Sequence, residues 1–170
     1  LPIKKNIIFK IGYPNKKNNG AILESIDKAI YLAKNKKVSG IVTLPIYKKN
    51  LMEDGFSFPG HTEYLSHKDK SDSLMILMTD KLKVATATTH IPINKISKSL
   101  NKSLIIKKVN ILNKSLIKDF NISHPKIAIS ALNPHAGEEG EIGKEEINII
   151  IPAVNELKNN GINVVGPLPA

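Results

Sequence analysis

Two histidines of this chain directly follow apolar, β-rich runs. His90 closes a threonine-rich run, and Pro92 just after it prevents a regular strand from continuing. His135 follows a second apolar run through Asn133 and Pro134. An imidazole at the end of a strand is well placed to bind a metal ion or to transfer a proton. A hydrogen-bonded structural histidine is an equally good interpretation of His90 taken by itself.

The polar loop 133–143 surrounds His135 with glycines and carboxylates. Loops of this kind after a core strand are common at active sites, and the alternative is a flexible acidic surface loop. His90 and His135 lie too far apart in the sequence for a local metal motif, but strand ends in an α/β sheet share one edge. Because a catalytic zinc usually takes three protein ligands, the third would come from a carboxylate, another chain or sequence outside these residues.

A third segment, 58–65, combines a glycine with polar side chains at the start of a predicted helix. Gly60 permits an unusual backbone angle, and the amides that follow it can face an anion together with the Thr62 hydroxyl. His61 can add a hydrogen bond or a charge to a phosphate. Local features alone favour the simpler interpretation of an ordinary helix N-terminus with a surface histidine. His67 and His124 stand among lysines and serines and are predicted to be surface residues.

The hydrophobic pattern predicts that strands and helices alternate along the chain, and these elements position the three segments. This alternation indicates an α/β architecture in which helices cover a central sheet. Helices are predicted over 21–35, 47–53, 61–68, 93–120 with a break near Asn101, and 145–159. Strands are predicted over 6–11, 38–43, 74–78, 82–88, 127–132 and 162–165.

The charge of the chain does not indicate a nucleic-acid-binding protein. The formal net charge is +10 over 170 residues, but every cation is a lysine, the lysines are dispersed, and aromatic residues make up only 5%. Arginine forks and aromatic stacking surfaces are what base recognition normally needs. The lysines are therefore interpreted as solvated helix faces.

Length and composition favour one domain or two small lobes with a real core. The absence of cysteine excludes disulfides, a thiolate zinc site and a cysteine nucleophile. No apolar stretch approaches the roughly 20 residues that span a bilayer, and no secretion leader is recognisable. We therefore expect a cytoplasmic protein that does not associate with membranes.

Several of these segments together resemble the 4-hydroxythreonine-4-phosphate dehydrogenase family. The most specific motifs are Gly-His-Thr-Glu at 60–63, Thr-Thr-His-Ile-Pro at 88–92 and Leu-Asn-Pro-His-Ala-Gly-Glu at 132–138. All matching stretches fall in the order and spacing of the family across almost the whole chain. They are 19–26, 42–48, 58–65, 88–93, 132–138 and 161–170.

The resemblance implies an isocitrate/isopropylmalate-dehydrogenase-like fold with α/β/α layers, of which this is a partial chain. Residues 1–56 would be the C-terminal part of the first lobe, and residues 57–170 a truncated second lobe with metal-ligand and dimer-interface segments. It implies a homodimer that oxidises 4-phosphohydroxy-L-threonine with NAD or NADP and decarboxylates it to 3-amino-2-oxopropyl phosphate in pyridoxal phosphate (pyridoxine) biosynthesis. The third histidine ligand and much of the cofactor site would follow Ala170, so the fragment is expected to be inactive alone.

The same resemblance assigns roles to five residues. His61 and Thr62 match substrate-binding positions, and His90 and His135 match two of three ligands of a divalent metal such as Zn, Mg or Co. Lys48 stands in the family motif Thr-x-Pro-Ile-x-Lys and is assigned as a catalytic residue that would assist with charge or proton movement. NAD binding in this fold needs no G-x-G-x-x-G loop, which agrees with its absence here. The family usually has Asn in place of Tyr47 and Gly in place of Glu139.

Three other functions remain open at this point. A paralogous dehydrogenase would act on a related four-carbon sugar-acid phosphate such as erythronate or threonate phosphate. A truncated, non-catalytic remnant would bind or scaffold without turnover. A nucleic-acid-binding module comes last, because the basic residues are dispersed.

Overall fold

The computed structural model describes residues 3–169, and the chain forms two compact units, Leu1–Ser73 and Leu74–Ala170. The division predicted from the resemblance lies earlier, between residues 56 and 57. The physical reason for the difference is an aromatic cluster, since Phe58 and Tyr64 both pack against Phe56 with ring centroids 5.3 and 5.2 Å away. Residues 57–73 therefore stay with the first unit, while the assignment of 1–56 and 57–170 to lobes of a larger enzyme remains a prediction.

Over residues 3–73, three α-helices form the first unit. They are α1 (Asn19–Lys34), α2 (Lys48–Glu53) and α3 (His61–Asp69), with a short 3-10 turn at Lys16–Asn18 before α1. Apolar side chains four residues apart place one face of α1 against the other two helices. This agrees with the predicted helices. The buried core consists of Ile26, Ile30, Leu51, Phe56 and Tyr64.

Polar contacts hold the helices of the first unit in register. Buried Asn19 donates from its side-chain amide to the backbone oxygen of Asn50, 2.9 Å away, and so joins α1 to α2. The Tyr64 hydroxyl donates to Asp27 over 2.7 Å and joins α3 to α1. Burial, followed by this hydrogen bond, raises the pKa of Tyr64 above its ordinary value. The phenol is therefore a fixed donor near neutral pH.

The two strands predicted over 6–11 and 38–43 are absent from the structure of residues 3–169. A β-rich run forms a strand only when a neighbouring chain accepts its backbone hydrogen bonds. Ile8 instead bonds through both backbone groups to the side-chain amide of Asn18, at 2.9 and 2.8 Å. In and beside the second run, Val42 is 97% and Leu44 82% exposed. These predictions were wrong for the described chain.

Over residues 74–169, the second unit contains two strand pairs and three α-helices. Strands β1 (Ile76–Met78) and β2 (Lys83–Ala85) form an antiparallel hairpin, and β3 (Ile127–Ser130) pairs in parallel with β4 (Val164–Leu168). The helices are α4 (Ile96–Ser99), α5 (Lys102–Lys118) and α6 (Ile151–Asn159). Mixed helices and strands confirm the α/β class. The core comprises Leu100, Ile105, Val109, Leu116, Ile127, Ile150, Ala153, Val154, Leu157 and Val164.

Helix boundaries in the second unit follow from individual residues. Asn101 caps α5, because its side-chain oxygen accepts the Leu104 amide over 2.9 Å, and this confirms the predicted break. The helix predicted over 145–159 begins differently, with a π-helical turn at Glu146–Ile150 before α6. Pro152 lacks the amide that a regular helix would use here, so the backbone hydrogen bonds shift to the wider spacing.

No helix among the described residues combines the length and hydropathy needed to cross a bilayer.

Candidate functional site

His90 lies exposed beyond β2, with a left-handed backbone at φ 55°. The hairpin ends just before it, where the Thr86 amide donates to the Met75 carbonyl over 3.2 Å. Pro92 then opens a 3-10 turn at Ile93–Lys95 that leads into α4. The predicted position of this histidine after a strand is therefore correct, although the strand is shorter than predicted.

His135 lies exposed after β3, at the start of a left-handed turn. The five residues from His135 to Glu139 all have positive φ, between 42° and 80°, and only Gly137 among them is a glycine. A left-handed L-residue costs roughly 1–2 kcal/mol because its Cβ crowds the following carbonyl oxygen. This loop therefore needs contacts elsewhere to hold it in one conformation.

Positive φ values at non-glycine residues away from helix ends occur, among the described residues, in the two histidine segments. Apart from glycines, Lys36, Lys70 and Asn121 have positive φ at or just after the ends of helices, where this conformation is ordinary. The remaining cases are His90 and the loop that begins at His135. Strained backbone of this kind collects at functional sites.

Both histidine segments border one cavity of about 820 Å³ in the second unit. Thr88 lies in its wall two residues before His90, and Leu132 lies there three residues before His135. The lining is mainly apolar and includes Val84 and Val109, so the cavity itself is not suited to a phosphorylated acid. It does show that the chain leading to each imidazole approaches the same region.

Glu146 is the buried carboxylate that holds the start of the His135 loop, with only 2% of the residue exposed. One oxygen accepts the backbone amides of Leu132 and Asn133, each over 2.8 Å, and the other accepts the Asn133 side-chain amide over 2.9 Å. Burial raises the pKa of Glu146, but the hydrogen bonds from Asn133 and Leu132 outweigh it and hold the pKa below its ordinary value. The ionised carboxylate therefore fixes the residues that precede His135.

Glu145 connects the same loop to the segment that follows His90. It accepts the Asn133 side-chain amide over 2.9 Å, and it also accepts the Ser97 hydroxyl. The Ser97 bond first, and then the Asn133 bond, lower the pKa of Glu145. Sequence reasoning missed Ser97, Glu145 and Glu146. The available signal was a pair of glutamates at a predicted helix start directly after a glycine-rich loop.

Three predicted residues gather at the N-terminus of α3 in the first unit. His61 is the first residue of the helix and Thr62 the second, and both are half-buried. Nε2 of His61 is buried and has no hydrogen-bond partner among residues 3–169. Lys48 reaches the same place, since a Cβ added to Gly60 would lie 3.5 Å from its Nζ. The first-turn amides, the Lys48 cation and the unpartnered imidazole suit an anion, while a carboxylate oxygen of Glu63 lies equally close, 3.6 Å from the same Cβ position.

Metal binding is supported by the donor chemistry and not by a complete ligand set. His90 and His135 are exposed imidazoles on loops of one unit, and neutral imidazole suits zinc or cobalt. Among the described residues, no three His, Cys, Asp or Glu side chains converge as a metal site. Two further histidines, His67 and His124, are exposed as predicted.

Comparison with known proteins identifies the family. The family model of the pyridoxal phosphate biosynthetic protein PdxA matches residues 1–170. The chain belongs to the PdxA family. The resemblance found in the sequence motifs is thereby confirmed.

Relatives within the PdxA family share substantial identity with the chain. A 4-hydroxythreonine-4-phosphate dehydrogenase from Sulfurihydrogenibium sp. (strain YO3AOP1) is 42% identical, covering 94% of this chain and 50% of the relative. The enzyme of that name from Wigglesworthia glossinidia brevipalpis is 41% identical, covering 100% of this chain and 52% of the relative. The chain spans about half the length of the curated relatives it matches.

A solved structure carries the same likeness to the level of the backbone. The crystal structure of 4-hydroxythreonine-4-phosphate dehydrogenase from Klebsiella pneumoniae superposes with a TM-score of 0.88 at 34% identity. The match covers 95% of this chain and 50% of that chain. The fold of the chain is therefore a partial α/β fold of the PdxA dehydrogenases.

Proposed function

We propose that this chain supplies part of the active site of an NAD-dependent 4-hydroxythreonine-4-phosphate dehydrogenase. The reaction would oxidise and decarboxylate 4-phosphohydroxy-L-threonine to 3-amino-2-oxopropyl phosphate in pyridoxal phosphate biosynthesis. The observation that carries the proposal is the PdxA family match over residues 1–170, in a chain whose His90 and His135 segments border one cavity. The partial coverage of the relatives makes turnover by these residues alone unexpected.

The phosphate of the substrate would bind at the N-terminus of α3. Backbone amides in the first turn point away from the helix and carry partial positive charge, which favours a dianion. The His61 Nε2 atom has no hydrogen-bond partner among residues 3–169 and can donate to a phosphate oxygen when it carries the proton. The Thr62 hydroxyl would donate as well. Lys48 lies beside Gly60 and would add positive charge at the same place, or move a proton during the reaction.

His90 and His135 would provide two of the ligands of a divalent metal ion, Zn, Mg or Co, with a third ligand from outside the described residues. A divalent ion in such a site polarises an oxygen of the substrate and stabilises the negative charge that develops on it. The hydride acceptor would be NAD or NADP. We further propose a cytoplasmic homodimer.

A chimera tests this function directly. The 170-residue chain would replace the matching half of the Klebsiella pneumoniae enzyme, and NADH formation would be followed with 4-phosphohydroxy-L-threonine and, separately, with erythronate phosphate. His90→Ala and His135→Ala should each lower kcat/KM by about 100-fold or more, because loss of several kcal/mol of charge stabilisation corresponds to that factor. His61→Ala should chiefly raise KM.

The matched control is His124→Ala, which removes an exposed histidine of the same unit and should leave kcat/KM unchanged. A chimera that keeps full activity without His90 and His135 would contradict the proposed metal ligands. A folded chimera that prefers erythronate phosphate would replace the proposed substrate by the paralogous one.

A further inference from the structure

A buried, ionised carboxylate in a core position needs a reason beyond stability. Glu146 lies among core residues such as Ile150, and taking a charge out of water is costly unless every lone pair is bonded. An apolar residue of similar size is often at least as stabilising in such a place. Glu146 accepts its hydrogen bonds from Leu132 and Asn133, the residues that lead into His135. Its bonding pattern is that of a residue that fixes one conformation.

A second carboxylate extends this contact to the other histidine segment. The Asn133 side-chain amide donates to Glu145 as well as to Glu146, and Glu145 also accepts the Ser97 hydroxyl. Ser97 lies in α4, which follows His90 after a short turn. One chain of hydrogen bonds therefore joins the segment after His90 to the residues before His135.

We propose that Ser97, Asn133, Glu145 and Glu146, here called the carboxylate clamp, are positioning residues that fix the His90 and His135 segments relative to each other for binding one divalent ion. The ion itself belongs to the proposed function, on which this inference rests. The clamp would act through hydrogen bonds to the chain after His90 and before His135, and its residues are not proposed as ligands of the ion. Both histidines have a strained left-handed backbone, and a change of conformation would relieve this strain. The clamp therefore holds the two segments in the conformation that binds the ion.

The first measurement is Co²⁺ binding to the 170-residue chain by titration. Ser97→Ala removes the bond to Glu145, and Glu146→Gln places an amide donor against the Asn133 amide. Each variant should bind Co²⁺ about 10-fold more weakly, because losing one hydrogen bond of about 1.4 kcal/mol corresponds to that factor. The matched controls are Ser103→Ala on α5 and Glu156→Gln on α6, which should bind like the wild type. Melting temperature, measured alongside, separates a positioning role from unfolding, since Ser97 is exposed and its variant should melt like the wild type.

The second measurement needs no metal. The chain has no cysteine, so Ile93→Cys and Glu139→Cys give spin labels at only two exposed positions, one on each histidine segment. The distance distribution between the labels should be narrow, and it should broaden in Ser97→Ala and Glu146→Gln but not in the controls.

The outcomes separate the two proposals. Wild-type Co²⁺ binding that does not weaken in His90→Ala and His135→Ala would overturn the metal site of the proposed function, while the label distances would still test the clamp. Unchanged Co²⁺ affinity or unchanged label distances in both clamp variants would overturn the clamp. Broadened distances together with weakened Co²⁺ binding, at an unchanged melting temperature for Ser97→Ala, are the expected result.

Discussion

Replacing Gly137 by alanine tests whether the His135 loop adopts the close-packed left-handed turn. Gly137 has φ +80°, and a Cβ there would lie 2.7 Å from the carbonyl oxygen of Gly143 and 2.8 Å from Oε2 of Glu146. Gly161 provides a matched control in the same unit, because its φ is +79° and a Cβ there would meet nothing within 4 Å. Both substitutions place an alanine in a left-handed conformation, but only the alanine at position 137 has a Cβ that collides with neighbouring atoms.

The free energies follow from these two geometries. A left-handed alanine costs about 1–2 kcal/mol, and this is the whole effect expected for Gly161→Ala. Forcing a methyl group into a packed site typically costs a further 1–3 kcal/mol or so. Gly137→Ala should therefore lower the free energy of unfolding by about 2–5 kcal/mol. It should also weaken Co²⁺ binding, since one of the two colliding oxygens belongs to Glu146.

Urea unfolding of both variants beside the wild type measures the difference. Both midpoints should fall to lower urea concentration, and the fall should be larger for Gly137→Ala than for Gly161→Ala. The dependence of the free energy of unfolding on urea concentration should change little. Equal midpoint shifts in the two variants would refute the collision, and with it the packing of the loop against Glu146.

Three further outcomes are expected. Because the pKa of Glu146 is lowered in the folded chain, its ionised form stabilises the fold above the pKa of this group in the unfolded chain. This contribution should disappear as the pH falls from about 5 toward the folded-state pKa. Urea midpoints measured against pH should therefore fall less in acid for Glu146→Gln than for the wild type. Leu157 is 0% exposed, so Leu157→Ala should cost about 2–5 kcal/mol in urea unfolding, and a cost below about 1 kcal/mol would contradict the core packing of α6. Tyr64→Phe removes the hydroxyl that donates to Asp27, so it should cost about 1 kcal/mol, and an Asp27→Asn variant in a double-mutant cycle should show that the two effects are not additive.

Local signals in the sequence were sufficient for the helices and for the identity of the family. The apolar spacing of α1 and the capping residue Asn101 act within a few residues, so they can be recognised without knowing what packs against them. The motifs around His61, His90 and His135 likewise combine residue types that are informative by themselves. These features predicted the elements that carry the candidate site.

Only the tertiary structure decided which β-rich runs became strands and what holds the His135 loop. A strand depends on a partner elsewhere in the chain, and the runs 6–11 and 38–43 have none among the described residues. The same dependence explains the clamp, because a glutamate at a helix start accepts buried backbone amides only when the fold brings the residues that follow β3 against it. Long-range hydrogen bonds and burial are properties of the folded chain, and single-sequence periodicity contains no measure of either.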